Sequence, residues 1–298
     1  MHPTQRHHRL GFFLLCTTLG GCAWNAAGDT GCELAGQPHP LPKALHESSG
    51  VAASRIHSGV VWTHNDGDGP FLFALDEEGS LLARIPFSGA DLWDWEDLSV
   101  GDCPSGSCLY LADTGDNAEV RKGIQLIRIP EPGVLDADTE LVAEVFPMVL
   151  PDGPRDVEAL FVLPGEEVFL VSKGRADPLT VYRYPPPLRP GEQVTLEEVQ
   201  HLSDGSMSIP AQITGADASP EGDLVVLRTY AALFFYRVDG GTLVPVDGGR
   251  ITLRTLEEPQ GEGVGIGPGG QILLTTEAGN FGGLAALRVL RCGKLFGG

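Results

Sequence analysis

One short pattern decides the fold of this chain, and it occurs as Ser49-Gly50-Val51, Glu96-Asp97-Leu98, Glu158-Ala159-Leu160, Thr214-Gly215-Ala216 and Glu262-Gly263-Val264. An acidic or small residue comes first, a small residue usually follows, and an apolar residue opens a strand. The five copies are spaced by 47, 62, 56 and 48 residues. Repeats of this length, built from strands and turns, are typical of propeller blades. A propeller would bring these distant segments together around one axis.

Each copy of the pattern is followed by further predicted strands. Apolar runs recur at residues 60–62, 109–111, 168–171, 224–227 and 272–274, and a third run follows each of them. Turns rich in glycine, proline or aspartate separate the runs, and no segment has a sustained helical period. The 40 glycines and 23 prolines also suit a fold that is dense in turns. The sequence therefore predicts an all-β protein with a single β-propeller.

Outer strands determine the expected number of blades. Four repeats have a fourth run, near residues 81–85, 141–149, 194–199 and 251–256, and the fifth has none. The segment around residues 32–41 is the available substitute, and its pairing would close the ring. We therefore predict five blades of about four antiparallel strands, with six as the alternative. Residues 46–298 would form the propeller, and residues 22–45 would form the N-terminal, ring-closing segment.

Four cysteines outside the N-terminal 22 residues predict two disulfide bonds. Cys103 and Cys108 can close a tight hairpin loop, and Cys32 and Cys292 would join the two ends of the globular body. An even number of cysteines fits an oxidising compartment. A zinc site is the competing use, but the spacing contains no paired CxxC motif.

The N-terminus has the composition of an export signal. Arg6 and Arg9 precede the short apolar run 11–16, and Leu19-Gly20-Gly21-Cys22 resembles a bacterial lipobox. We predict a signal peptide over residues 1–21, a lipid on Cys22 and attachment to the cell envelope. Ala23 after the cysteine favours the outer membrane. The alternative is an ordinary secretory signal, with Cys22 as a plain thiol.

The chain is strongly acidic, with a formal net charge of −20. Removal of residues 1–21 would take away two arginines and no acid, so the mature protein would be more acidic still. Such a surface repels nucleic acid and favours cations. We therefore expect no nucleic-acid partner. The expected partners are the membrane, through the lipid on Cys22, and a protein or small-molecule ligand.

Acidic residues are predicted to meet at one mouth of the central channel. Strands alternate in direction within a blade, so the start of the first strand and the end of the second lie on the same face. Two carboxylates roughly 4 Å apart repel by about 4 kcal/mol at an effective dielectric of about 20. The predicted metal ligands are Glu96, Asp113, Glu158, Glu262 and Glu277, and the other predicted mouth residues are His64, Asp66, Asp97, Asp116, Lys173, Asp217 and Arg228.

Three interpretations of this mouth stay open. The acids can be structural, capping strand ends through backbone amides. They can hold Ca²⁺ or a similar hard cation, which prefers oxygen ligands. They can also form a catalytic centre that attacks an ester, a lactone or a phosphoester. We expect a binding or scaffolding module, with a metal-dependent hydrolase as the alternative.

The chain contains the motifs Trp62-Thr63-His64-Asn65-Asp66, Asp94-Trp95-Glu96-Asp97-Leu98, Asp113-Thr114-Gly115-Asp116-Asn117, Asp156-Val157-Glu158-Ala159-Leu160 and Gln260-Gly261-Glu262-Gly263. These motifs resemble those of a set of exported bacterial propeller proteins without an assigned activity. This resemblance extends over roughly residues 46–290, and it implies a propeller and secretion. A more distant likeness is to calcium-dependent lactonases and phytase-like esterases, which place acids in the same channel mouth.

Overall fold

A computed structural model describes residues 31–67, 69–279 and 283–296. The predicted signal peptide and the lipid-bearing Cys22 lie outside these residues. The described residues form twenty-three β-strands and four short 3₁₀-helices, and they contain no α-helix. None of the helices found in these ranges is long and apolar enough to cross a membrane.

The strands make five sheets that follow one another along the chain. Blade 1 contains β3 (Ser48–Ala53), β4 (Val60–Asn65), β5 (Phe71–Asp76) and β6 (Leu81–Ser88). Blade 2 contains β7 (Trp95–Cys103), β8 (Gly106–Asp113), β9 (Ile124–Pro130) and β11 (Glu144–Val149). Blade 3 contains β12 (Val157–Leu163), β13 (Glu167–Ser172), β14 (Thr180–Arg183) and β16 (Glu197–His201). Blade 4 contains β17 (Ile213–Ala218), β18 (Leu224–Thr229), β19 (Ala232–Asp239) and β20 (Thr242–Thr252).

Blade 5 joins the two ends of the described chain. Its strands β21 (Gln260–Gly267), β22 (Gln271–Glu277) and β23 (Ala286–Cys292) are completed by β1 (Cys32–Leu34) and β2 (His39–Pro40), which both pair antiparallel with β23. Cys32 lies opposite Cys292 in this pairing, and the two form a disulfide bond. The second predicted disulfide, Cys103–Cys108, is also present. The predictions of five blades and of both disulfides are therefore confirmed.

Short segments complete the architecture. Two parallel edge strands, β10 (Leu141–Val142) on β6 and β15 (Val194–Thr195) on β11, extend the sheets of blades 1 and 2. The 3₁₀-helices are Ile209–Ala211, Arg254–Leu256, Pro268–Gly270 and Gly293–Phe296.

The core of the protein consists of apolar layers between neighbouring blades. Trp62 of blade 1 and Trp95 of blade 2, for example, are buried in one layer, and four further clusters fill the other interfaces between neighbouring blades. Strands such as β12 are buried along their whole length, because apolar layers cover both faces of the sheet. Each large buried side chain contributes about 1.5–3 kcal/mol. The apolar runs of the sequence are therefore what holds adjacent blades together.

The innermost strands β3, β7, β12, β17 and β21 form a closed ring, in which each strand contacts the next and β21 contacts β3. Small residues at the second position of the repeated pattern permit this close approach. A Cβ atom on Gly263 would overlap the carbonyl oxygen of Ser49, and one on Gly50 would overlap the backbone nitrogen of Leu98. In blade 2, Asp97 occupies the same position of the pattern.

Candidate functional site: the acidic mouth

A β-bulge in every innermost strand positions the first residue of the repeated pattern. The pairing register shifts between Trp95 and Asp97, so Glu96 is the extra residue of β7. Glu158 has the same place in β12, between Val157 and Ala159. Equivalent shifts occur in β3, β17 and β21. A bulge re-aims a side chain without ending the strand. This is the local reason why Glu96 and Glu158 leave the regular alternation of their strands.

Three carboxylates approach one another at this end of the ring. Glu96, Asp156 and Glu158 each offer an oxygen atom, and these atoms all lie within 4.8 Å of one another. Asp156 and Glu158 are buried, and Glu96 is partly buried. Because all three donors are carboxylate oxygens, the cluster could hold a hard cation such as Ca²⁺. We call these three residues the carboxylate cluster.

Two basic side chains already contact the cluster. The Nζ atom of Lys173 lies 2.5 Å from Oε1 of Glu158 and 3.8 Å from Oδ2 of Asp156. Arg175 donates to the same Oδ2 atom of Asp156, with Nη2 at 2.9 Å. Burial by itself lowers the pKa of Lys173, but Glu158 and other nearby groups outweigh this, and the pKa is raised above its ordinary value. Lys173 therefore stays protonated as the resident counter-ion of the cluster.

Glu96 forms no salt bridge with a lysine or arginine in the described part of the chain. Burial raises the pKa of Glu96 well above its usual range, and the charges of Glu158, Asp94 and Asp66 raise it further. Asp94 is two residues before Glu96 and shares a hydrogen bond with it, and its own pKa is raised by burial. Two carboxyl groups can share such a bond only if one of them carries a proton.

Further acids surround the cluster. Burial, followed by the charge of Asp94, raises the pKa of Asp66 to about 6. Burial also raises the pKa of Glu262 to about 7. The pKa of Glu277 is raised to about 8 by burial and by the charge of Glu262. Within the described ranges, the mouth therefore holds more carboxyl groups than its basic side chains can neutralise, and several of them retain protons near neutral pH.

Two of the predicted residues lie in the ring of innermost strands and bind its backbone. Asp97 accepts hydrogen bonds from the backbone N–H groups of Leu98, Leu160 and Ala216, at 2.9, 2.8 and 3.0 Å. Asp217 accepts from the Ser99 hydroxyl at 2.9 Å and from the Ile266 backbone N–H at 2.8 Å. Ser99 and Ile266 lie further along their strands than Glu96 and Glu262, so Asp217 is deeper in the ring than the cluster. We call Asp97 and Asp217 the axial acids.

Asp113 and Asp116 are held within blade 2 and its neighbour. Asp113 is fully buried, and its carboxylate accepts from the backbone N–H groups of Trp93 and Asp94 and from the side chains of Arg121 and Gln125. Asp116 accepts from the backbone N–H of Arg121 at 2.6 Å. Both carboxylate oxygens of Asp113 therefore accept hydrogen bonds from the loop that carries Asp94.

His64 and Arg228 are also held by the backbone. The Nε2 atom of His64 accepts from the Gly50 N–H at 3.2 Å, and Nδ1 donates to the Asn65 carbonyl at 3.1 Å. Burial lowers the pKa of His64 to about 4, so the ring is neutral. Arg228 is fully buried and donates to the carbonyl oxygens of Gly263 and Thr275, while its other amine contacts Glu258.

The structure thus brings two of the five predicted metal ligands, Glu96 and Glu158, into the carboxylate cluster and adds Asp156, which was not among them. A signal for Asp156 exists in the sequence, because Asp94-Trp95-Glu96 and Asp156-Val157-Glu158 repeat an acid at the i and i+2 positions. In blade 5 the same spacing joins Gln260 and Glu262, and the Gln260 amide donates to Glu262 Oε1 at 2.8 Å.

The fold and the cluster define a class: a five-bladed β-propeller with carboxylates at one end of its axis. No protein-family model matches the sequence, and no curated protein matches it in sequence. Solved structures do match. A glucose dehydrogenase has a TM-score of 0.50 and 10% identity, over 85% of this chain and 98% of that chain.

Two further structures are more weakly similar. The PQQ-bound aldose sugar dehydrogenase from Streptomyces coelicolor has a TM-score of 0.49 and 12% identity, over 90% of this chain and 99% of that chain. The periplasmic gluconolactonase from Pseudomonas aeruginosa has a TM-score of 0.42 and 13% identity, over 78% of this chain and 67% of that chain. At these identities the similarity concerns the fold alone.

Proposed function

We propose that this protein is an envelope-anchored binding module whose acidic mouth takes up a hard divalent cation, with Ca²⁺ as the first candidate. The lipid on Cys22 would attach the propeller to the membrane, and the mouth would bind the cation alone or together with a protein or small-molecule ligand. The observation that carries the proposal is the carboxylate cluster, in which oxygen atoms of Glu96, Asp156 and Glu158 lie within 4.8 Å of one another.

The electrostatics of the mouth favour a cation. The pKa of Glu96 and that of Glu158 are both raised well above their usual range, first by burial, which shows that the ionised forms are costly there. A divalent cation removes this cost because it replaces protons and neutralises several carboxylates at once. Lys173 supplies only one positive charge to the same space.

Calcium binding to the metal-free protein tests the proposal directly. A cation at a hundredfold excess over its dissociation constant stabilises the folded state by about 2.7 kcal/mol, which raises the melting temperature of a protein of this size by about 5 °C or more. Isothermal titration calorimetry and thermal melts with Ca²⁺, Mg²⁺ and EDTA would measure both effects.

Two variants at the mouth and one exposed control localise the effect. Glu96→Gln should abolish the calcium-dependent rise, and the triple variant with Glu158→Gln and Glu262→Gln should do the same. Glu221→Gln, which changes an exposed acid in the β17–β18 turn, should respond like the wild type. If the stripped wild-type protein shows no rise with any divalent cation, the cation proposal is wrong.

A metal-dependent hydrolase is the second candidate. It is favoured by the acids beside the cluster, because the pKa of Glu262 is raised to about 7 and that of Glu277 to about 8, mainly by burial. Groups that titrate near neutral pH are suited to general acid–base catalysis. An assay of a p-nitrophenyl ester, a phosphate monoester and a small lactone, with Ca²⁺ and with EDTA, separates the candidates. Turnover that requires Ca²⁺ and is lost in Glu262→Gln would establish the hydrolase.

A further inference from the structure

Trp93 is unusual among the large apolar side chains of the described residues. Its exposed fraction is 80%, and it is the only aromatic residue in the exposed group. It precedes Asp94 in the connection between blades 1 and 2, on the face of the propeller that carries the acidic mouth. A tryptophan that is 80% exposed buries little area in the folded chain, so packing does not account for it.

The position of Trp93 is nevertheless fixed. Its backbone N–H donates to Oδ2 of Asp113 at 3.1 Å. The guanidinium of Arg121 lies 5.6 Å from the centre of the indole ring, within the range of a cation–π contact. Arg121 is itself held by Asp113 and by the carbonyl of Gly115. Asp113 and Arg121 therefore hold the Trp93 indole in its exposed position. Binding of a ligand to the indole would cost little conformational entropy.

Two clefts flank this indole. One has a volume of about 280 Å³ and is lined by Pro70, Leu92, Trp93 and Trp95, with the glycines of the β4–β5 loop. The other has a volume of about 260 Å³ and lies on the blade 2 side, where Gln125 and Gln193 join Trp93 in the lining. Asp91 lines both clefts. Trp93 thus lines both clefts, of which the first is mostly apolar and the second is polar, with Asp113 and Arg121 also in its lining.

The first cleft is also lined by the buried Trp95, whose indole nitrogen is an unsatisfied donor. Trp95 is buried, and its Nε1–H has no hydrogen-bond acceptor among the described residues. A buried donor without an acceptor costs free energy, and native structures rarely leave one unpaired. Trp95 lines the cleft, but its Nε1 atom is buried, so Trp95 contributes an apolar wall to the cleft and not a donor for a ligand.

We propose that Trp93 and its two flanking clefts form a binding site for an uncharged oligosaccharide, with one sugar ring stacked on the indole and its neighbours in the clefts. A sugar ring has an apolar C–H face, which suits an indole plate, and a rim of hydroxyls, which suits Asp91, Gln125 and Gln193. An uncharged ligand is not repelled by the surrounding acids. This site is separate from the carboxylate cluster and does not depend on a cation.

The test is a binding titration of the mature protein. Cellotetraose, maltotetraose and tetra-N-acetylchitotetraose, each up to millimolar concentration, would be followed by calorimetry and by tryptophan fluorescence. We expect at least one of them to bind equally well with Ca²⁺ and with EDTA. Trp93→Ala should weaken that binding about tenfold or more, the size expected for the loss of one stacked aromatic contact. Trp93→Tyr should retain part of it.

Two further variants test whether binding occurs at the Trp93 site. Val134→Ala removes another exposed apolar side chain on the opposite face and should leave binding unchanged. Gln193→Ala should weaken binding by a few-fold with an unchanged melting temperature. The proposal is overturned if none of the three oligosaccharides binds the folded protein or if Trp93→Ala binds as well as the wild type. It is also overturned if a proline-rich peptide, and no oligosaccharide, binds at Trp93.

Discussion

The axial acids and the carboxylate cluster are two groups of buried carboxylates in one ring of strands, and they differ in what surrounds them. Asp97 accepts from three backbone N–H groups that belong to three different innermost strands. Glu96 faces other carboxyl groups, and Glu158 faces a lysine. Burial alone therefore does not make a site. A carboxylate that accepts hydrogen bonds from backbone amides stabilises the fold. Carboxylates that face one another have oxygen atoms that can bind a cation.

The largest expected effect is at Asp97. Asp97→Ala would leave the N–H groups of Leu98, Leu160 and Ala216 buried without an acceptor, at about 1–3 kcal/mol each. We expect the free energy of unfolding to fall by about 5 kcal/mol, as measured by urea denaturation. Ser99→Ala, which removes only one hydrogen bond to Asp217, should cost about 1 kcal/mol. Equal effects of the two substitutions would contradict the structural role of Asp97.

A smaller effect is expected from Lys173→Met at the cluster. The substitution leaves Glu158 buried without its ammonium partner, and removing one member of a buried pair costs about 3 kcal/mol or more. Unlike the loss at Asp97, this loss should be recovered by Ca²⁺, and the calcium affinity should exceed that of the wild type because no resident cation competes. Thermal melts of both variants with and without Ca²⁺ make the comparison. Recovery of Asp97→Ala by Ca²⁺ as well would remove the distinction between the two regions.

The pH dependence of stability distinguishes the axial acids further. Burial raises the pKa of Asp217 to about 7 from an ordinary value of 3.8, so the folded state binds this proton more tightly than the unfolded state. Its stabilising contribution is complete below pH 3.8 and is lost as the pH rises through about 7. Asp217→Asn is neutral throughout, and its amide can still pair with Ser99 and Ile266. The difference in unfolding free energy between variant and wild type should therefore grow in favour of the variant by about 4 kcal/mol across this window. A constant difference would show that Asp217 does not titrate there.

The smallest effect should have the opposite sign to that of Asp97→Ala. Glu277 has a pKa raised to about 8 by burial and by Glu262, so its charge is unfavourable in the folded mouth. Glu277→Gln, measured in EDTA above pH 8, should increase the free energy of unfolding by about 1 kcal/mol, because Glu277 is partly exposed and solvent screens most of the unfavourable charge. The exposed control Glu221→Gln should change it by less than about 0.5 kcal/mol. Destabilisation by Glu277→Gln would show that Glu277 stabilises the fold, as we infer for the axial acid Asp97.

Much of the fold could be predicted because its signals are local and repeated. The pattern that begins at Ser49, Glu96, Glu158, Thr214 and Glu262 recurs once in each blade, and β-strands with turns at that period close into a propeller. The ring-closing segment and both disulfides followed from the missing fourth strand of the last repeat and from four cysteines. Glu96 and Glu158 were predicted as ligands for the same reason, since strand direction fixes the face on which a strand begins.

By itself, the sequence determined the all-β propeller fold, favoured five blades over six, and indicated the closure of the ring and the end of the ring at which the acids gather. Only the tertiary structure decided which carboxylates face amides and which face one another. The β-bulges that direct Glu96 and Glu158 out of their strands depend on pairing with the next strand of the same blade, and the ion pair of Lys173 with Glu158 also lies within one blade. The amide contacts of Asp97 join three separate blades. Strand periodicity is a property of neighbouring residues, whereas hydrogen-bond partners across a propeller axis are more than forty residues apart, as Leu160 and Asp97 are.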